Sequence, residues 1–66
     1  MIISSFTEPE LEYFRKNCNF IGDEIFVFEF RSQGLSLEQI AEVLNLSVDG
    51  VKKISRKVNR KIIKVL

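Results

Sequence analysis

The chain has no histidine and a single cysteine, Cys18. One cysteine cannot build a disulfide framework within a chain, and a zinc site would have to be made from carboxylates alone, so neither staple is expected here. With no histidine to activate it, Cys18 is not expected to act as a nucleophile. There is no glycine loop of the kind that cradles phosphates and no pair of carboxylates set in a defined pocket, so neither an enzyme nor a bound cofactor is expected. Nowhere do 18 uncharged apolar residues run together, and MIISSFTEPE lacks the basic start and apolar stretch of a secretory leader. The expectation is a cytoplasmic protein with no membrane partner.

What the chain does contain favours a packed globule. Hydrophobic residues make up 45% of its 66 residues and six of them are phenylalanine, too apolar a composition for disorder. A chain of this length forms one small domain, residues 1–66, and buries only about 60% of its extended surface. Cys18, of a residue type usually found inside, is expected in the core or at its boundary. The net charge of +1 conceals a split. Residues 1–46 set Arg15, Lys16 and Arg31 against eight acids, a net of −5, whereas residues 47–66 set seven cations against Asp49 alone, a net of +6. An anionic partner for the C-terminal third follows from that asymmetry.

Punctuation and periodicity predict an all-α fold of four helices, over about 8–18, 23–33, 37–44 and 48–64. Thr7 and Glu10 have the spacing of a capping box, Pro9 suits a first turn, and Leu11, Phe14 and Cys18 then mark one helical face. Ile25 to Phe30 is rich in strand formers. Its apolar residues do not alternate with polar ones, however, and no second strand-like run exists to pair with it, so helix is the better reading, closed by Gly34. Ser36 with Gln39 caps the third helix, whose apolar residues are Leu37, Ile40, Ala41 and Leu44. Asn45 tolerates the left-handed backbone that ends it, and Ser47 caps the fourth.

The stretch IAEVLNLSVDGVKKI therefore has a helix-turn-helix pattern: Ala41 small where two helices approach, Asn45 in the turn, Leu46 at the corner, Val51 and Ile54 packing back. The longer segment FVFEFRSQGLSLEQIAEVLNLSVDGVKK resembles region four of sigma factors and the LuxR-type regulatory domain, and with FTEPELEYF the likeness spans roughly residues 6–62. Two positions depart from that pattern: Gly50 stands where those families often place threonine, and Ile54 follows Val51 by three residues, where their next apolar residue often follows by four. The resemblance implies a four-helix DNA-binding domain of the small stand-alone type carried by prophages and mobile elements, with double-stranded DNA as partner and RNA polymerase as an alternative docking partner.

At 100° per residue, Val51, Ile54, Val58, Ile62 and Val65 form one stripe of the last helix, with a basic face opposite. Seven of the last 15 residues are basic and none is acidic. A helix fits the major groove, so the expected DNA contacts are Ser47, Val48, Asp49, Lys52, Lys53, Arg56, Lys57 and Arg60. Arg56 has the fork to grip guanine, while lysine is more often a point-charge phosphate contact. Asp49 fits either a cytosine contact or the positive end of the helix, and the latter is preferred. Lys57, Arg60 and Lys61 are expected to clamp phosphate or face solvent. Gly50 is consistent either with close approach of DNA or a neighbouring helix, or with neutral drift. Ile25 to Phe30 covers almost every direction around its helix, and Ile63 and Leu66 fall outside the stripe. A homodimer through Phe26, Phe30, Ile63 and Leu66 is the corresponding expectation.

Overall fold

Residues 2–66 are described by a computed structural model, in which a short 3-10 turn, Ile3–Ser5, precedes four α-helices: α1 (Glu8–Asn17), α2 (Asp23–Ser32), α3 (Leu37–Leu44) and α4 (Val48–Val65). There is no strand among the described residues, and every helix boundary lies within one residue of its sequence-based expectation. No helix among them is long and apolar enough to cross a membrane.

Local chemistry explains where the helices begin. At α1 the Glu10 carboxylate accepts from the Thr7 backbone N–H at 2.8 Å and from its hydroxyl at 3.0 Å. At α3 both halves of the box form: Ser36 N–H donates to Gln39 Oε1 at 2.8 Å, and Gln39 N–H donates to Ser36 Oγ at 3.2 Å. Stops are equally local. Gly34, at φ 91°, turns the chain after α2 so that Leu35 N–H reaches Phe30 O and Gly34 N–H reaches Arg31 O. That bond pair is a Schellman stop, and its left-handed residue favours glycine.

Strand propensity in α2 loses to burial. Val27 and Phe28 are completely enclosed, and Phe28 lies 4.8 Å from the Phe20 ring. Residues facing one side of a helix can reach that core together, whereas a single strand would have left its backbone groups unpaired. The same core takes Val51, Val58 and Ile62 from α4, Ile40 and Ala41 from α3, and Leu11, Phe14 and Cys18 from α1. Burial pushes the Cys18 thiol up, away from the reactive thiolate. Helix α4 is the hub, packing on α2 and α3 along its length and on α1 as well.

Two ion pairs join elements distant in sequence. Arg15 of α1 forks onto Glu29 of α2 at 2.7 and 2.9 Å, its guanidinium 5.9 Å from the centre of the Phe28 ring. Lys61 of α4 meets Glu24 of α2, the one buried charged residue among the described residues, and also donates to Asn19 O. Lys61, expected to clamp phosphate or face solvent, is instead engaged by Glu24 and Asn19 O, its side chain remaining part-exposed.

Lys61 holds the Glu24 carboxyl below the usual glutamate range, against the opposing effect of burial. A lowered folded-state pKa contributes stability that is complete at neutral pH and is lost as the pH falls through and below that range, about 4.3. Lys61→Met, which removes the pair but keeps the apolar stem, is expected to cost about 2 kcal/mol at pH 7 by leaving Glu24 buried without its partner. Urea unfolding should show the gap from the parent protein narrowing towards pH 3. A gap independent of pH would mean that packing of the lysine stem, rather than the charge pair, is what matters.

Candidate nucleic-acid interface

Helices α3 and α4 are joined by only Asn45, Leu46 and Ser47. Asn45 adopts the left-handed conformation (φ 57°, ψ 44°), Leu46 N–H returns to Ala41 O at 2.9 Å, and Asn45 N–H to Glu42 O at 3.3 Å. The Leu46 side chain is 37% exposed, so it does not plug the corner as its apolar character implied; its backbone amide closes the turn. Ala41 is buried where α3 meets α4, and Val51 is completely enclosed. The elbow is therefore fixed from both sides by small or β-branched core residues.

Ser47 Oγ accepts from Gly50 N–H at 3.0 Å and starts α4. A Cβ at Gly50 would meet Ser47 Oγ at 3.2 Å and nothing else within 4 Å. Close approach of a neighbouring helix is thereby removed as the reason for this glycine. Its effect at the cap is an omission: α1 and α3 have a side chain three residues on that returns to the cap amide, and α4 does not. The Ser47 amide consequently has no hydrogen-bond partner among the described residues, and neither do the first-turn amides of Val48 and Asp49, which are orphaned in any helix. They sit at the positive end of an 18-residue helix.

Of the expected contact residues, Ser47, Asp49, Lys52, Lys53, Arg56, Lys57 and Arg60 are exposed, whereas Val48 is half-buried and packs against the core. Lys64, on the same side, is exposed as well. None of Lys52, Lys53, Arg56, Lys57, Arg60 and Lys64 forms an ion pair among the described residues. On a helix these cations fall into two i,i+4 rows, Lys52–Arg56–Arg60–Lys64 and Lys53–Lys57–Lys61, the second ending at Glu24. Asp49, one turn before Lys52 and Lys53, is the only acid on α4.

The apolar residues expected at an oligomer interface separate. Phe26, Ile63 and Leu66 are 51%, 59% and 73% exposed, whereas Phe30 is partly taken up by the chain's own core. Leu66 also lines a cleft with Pro9, Tyr13, Phe14 and Val65, across which the Tyr13 hydroxyl donates to Val65 O at 3.2 Å. Sequence reading missed the roles of Arg15, Glu29 and Glu24 and the burial of Ile3; partners separated by 14 and 37 positions leave no local spacing to read. No protein-family model matches the chain, and no curated protein or solved structure matches it significantly.

Proposed function

We propose that this chain is a non-enzymatic, sequence-specific DNA-binding regulator of transcription that places α4 in the major groove. The observation that carries the reading is the continuous exposed basic face of α4, six cations without ion-pair partners among the described residues, beginning directly after a three-residue elbow. The groove is about 12 Å wide and admits a helix. Lys52, Lys53 and Arg56, within the first turns, face the base edges; Arg56 offers guanine two parallel hydrogen bonds, and the two lysines, as point charges, also meet the adjoining phosphates. Lys57 and Arg60 meet phosphates, and the unpaired amides at Ser47 to Asp49 favour a phosphate at the helix start. Asp49 serves the helix N-terminus and sets the base of the reading face. Neutralising about four phosphates, at Lys52, Lys53, Lys57 and Arg60, corresponds to a slope of log K against log salt of about −4. A regulator of this size, resembling stand-alone sigma-like domains, fits a prophage or mobile element, acting in the cytoplasm.

Selection of bound sites from random duplexes tests the reading directly. An enriched site with a steep salt slope is expected; equal, weak binding to all sequences would leave only a non-specific polycation. Two half-sites about 34 Å apart would mark a two-fold dimer using Ile63, Leu66 and Phe26. A single asymmetric site, with sedimentation at micromolar protein giving only the 7.7 kDa species, would rule the dimer out.

A second reading, a sigma-like module docking on RNA polymerase, is favoured by one observation: Ile21 and Phe26, just before and within α2, stay 62% and 51% exposed. Large apolar side chains left in water suit a protein partner. Binding of purified polymerase that survives Lys53→Ala/Arg56→Ala and is lost in Phe26→Ser would favour this reading.

A further inference from the structure

Four of the seven C-terminal cations, Lys57, Arg60, Lys61 and Lys64, line one cleft between α4 and the start of α2, with Glu24 as its single carboxylate. The cleft has a volume of about 280 Å³, below the range of roughly 300–1,000 Å³ that encloses drug-sized ligands. It offers room for a phosphate group rather than a whole nucleotide. Lys61 already serves Glu24 and Asn19, so the cations available to a ligand are Lys57, Arg60 and Lys64, all exposed.

Folding does not explain why they are there. Every i,i+4 step along both rows of α4 joins like charges, and so do the i,i+3 steps Lys53–Arg56, Lys57–Arg60 and Lys61–Lys64. Such neighbours repel and disfavour the helix that carries them. One buried carboxylate answers one of these cations. Asp49 lies one turn from Lys52 and Lys53, and the C-terminal end of the helix favours Lys64; Lys57 and Arg60 have neither and gain from an anion that arrives from outside.

We propose that this cleft seats a backbone phosphate of the same duplex, on the strand flanking the groove on the α2 side. The inference rests on the DNA-binding reading and adds a docking mode to it. Lys57 and Lys64 lie about 10 Å apart along the helix axis, and Lys64 about 18 Å beyond Lys52. A helix entering the groove end-on would hold Lys64 well clear of DNA. Contact by both Lys52–Arg56 and the Lys57–Lys64 cleft requires α4 to lie lengthwise, with its first half on bases and its second half on one sugar-phosphate strand. Glu24 then limits the clamp by withholding Lys61.

The test is the salt dependence of duplex binding by the full chain carrying Lys57→Ala/Lys64→Ala. Both residues are exposed, alanine is a good helix former and the change relieves like-charge repulsion, so the thermal melt should not fall below that of the parent. The expected slope is shallower by about 1, with affinity for the selected site and for random duplex reduced by the same factor, leaving their ratio unchanged. Glu24→Gln, which keeps an acceptor for the Ile21 amide and releases Lys61, is expected to steepen the slope by about 1. An unchanged slope in the double variant, while the parent binds DNA, overturns the cleft but not the regulator. A parent that binds no duplex overturns both. Saturable one-to-one binding of inorganic pyrophosphate by the parent, with the slope unchanged in the variant, would make this a small-anion site and overturn the strand contact.

Discussion

Lys53→Ala/Arg56→Ala is expected to weaken binding to the selected DNA site roughly 100-fold at physiological salt. A bidentate arginine contact to guanine contributes about 1–3 kcal/mol of discrimination, and a neutralised phosphate adds a salt-dependent increment, together about 2–4 kcal/mol at 1.4 kcal/mol per tenfold. The two side chains should fail differently. Arg56→Ala alone should reduce the preference for the selected site over random duplex, because base-edge hydrogen bonds carry the sequence information. Lys53→Ala alone should reduce both affinities together if its ammonium meets phosphate. Neither change should loosen the fold: both side chains are exposed and lack ion-pair partners among the described residues, and alanine relieves like-charge repulsion along the rows. Titration of both duplexes at several salt concentrations separates these outcomes. Unaltered binding to specific and random DNA alike would show that α4 does not enter the groove.

Much of this architecture is legible in sequence because its determinants are local. Ser36 with Gln39, Ser47, Gly34 and Asn45 act within three to five residues of themselves, and each is found doing what its chemistry implies. The apolar stripe of α4 is legible for the same reason, since a period of 3.6 is a property of one segment. The orientation of α2 is not. Ile25 to Phe30 is apolar nearly all round, so periodicity does not say which phenylalanine faces inward; only the positions of α4 and of Ile3 and Phe20 decide it. The ion pairs Arg15–Glu29 and Glu24–Lys61 were hidden by the same kind of non-local dependence. Hence the basic face of α4 could be read as a set of seven cations from sequence, while the withdrawal of Lys61 from that set could not. Leu46 failed in the opposite sense, its apolar side chain suggesting a plug where the backbone amide performs the closure.

Phe28→Ala is expected to destabilise the protein by about 3–5 kcal/mol, and Phe26→Ala by no more than about 0.5 kcal/mol, although the two lie two residues apart in one helix. Phe28 is completely enclosed, with Phe20 at 4.8 Å and the Arg15 guanidinium over its ring, so truncation opens a cavity at the junction of α1, α2 and α4. Phe26 is 51% exposed and leaves no cavity. A domain of this length has a total stability of about 3–10 kcal/mol, so the first change consumes much or all of it. Thermal and urea unfolding should show Phe28→Ala with a strongly lowered or absent cooperative transition and Phe26→Ala close to the parent. The functional consequence separates folding from recognition. α2 is the platform on which α4 rests, so Phe28→Ala should lose DNA affinity only in proportion to its unfolded fraction. Its preference for the selected site should persist in whatever population remains folded, and saturating DNA should restore helicity by mass action. Equal destabilisation by the two alanines would mean that α2 is rotated from the orientation described, and with it the side of α4 that is left free to meet DNA.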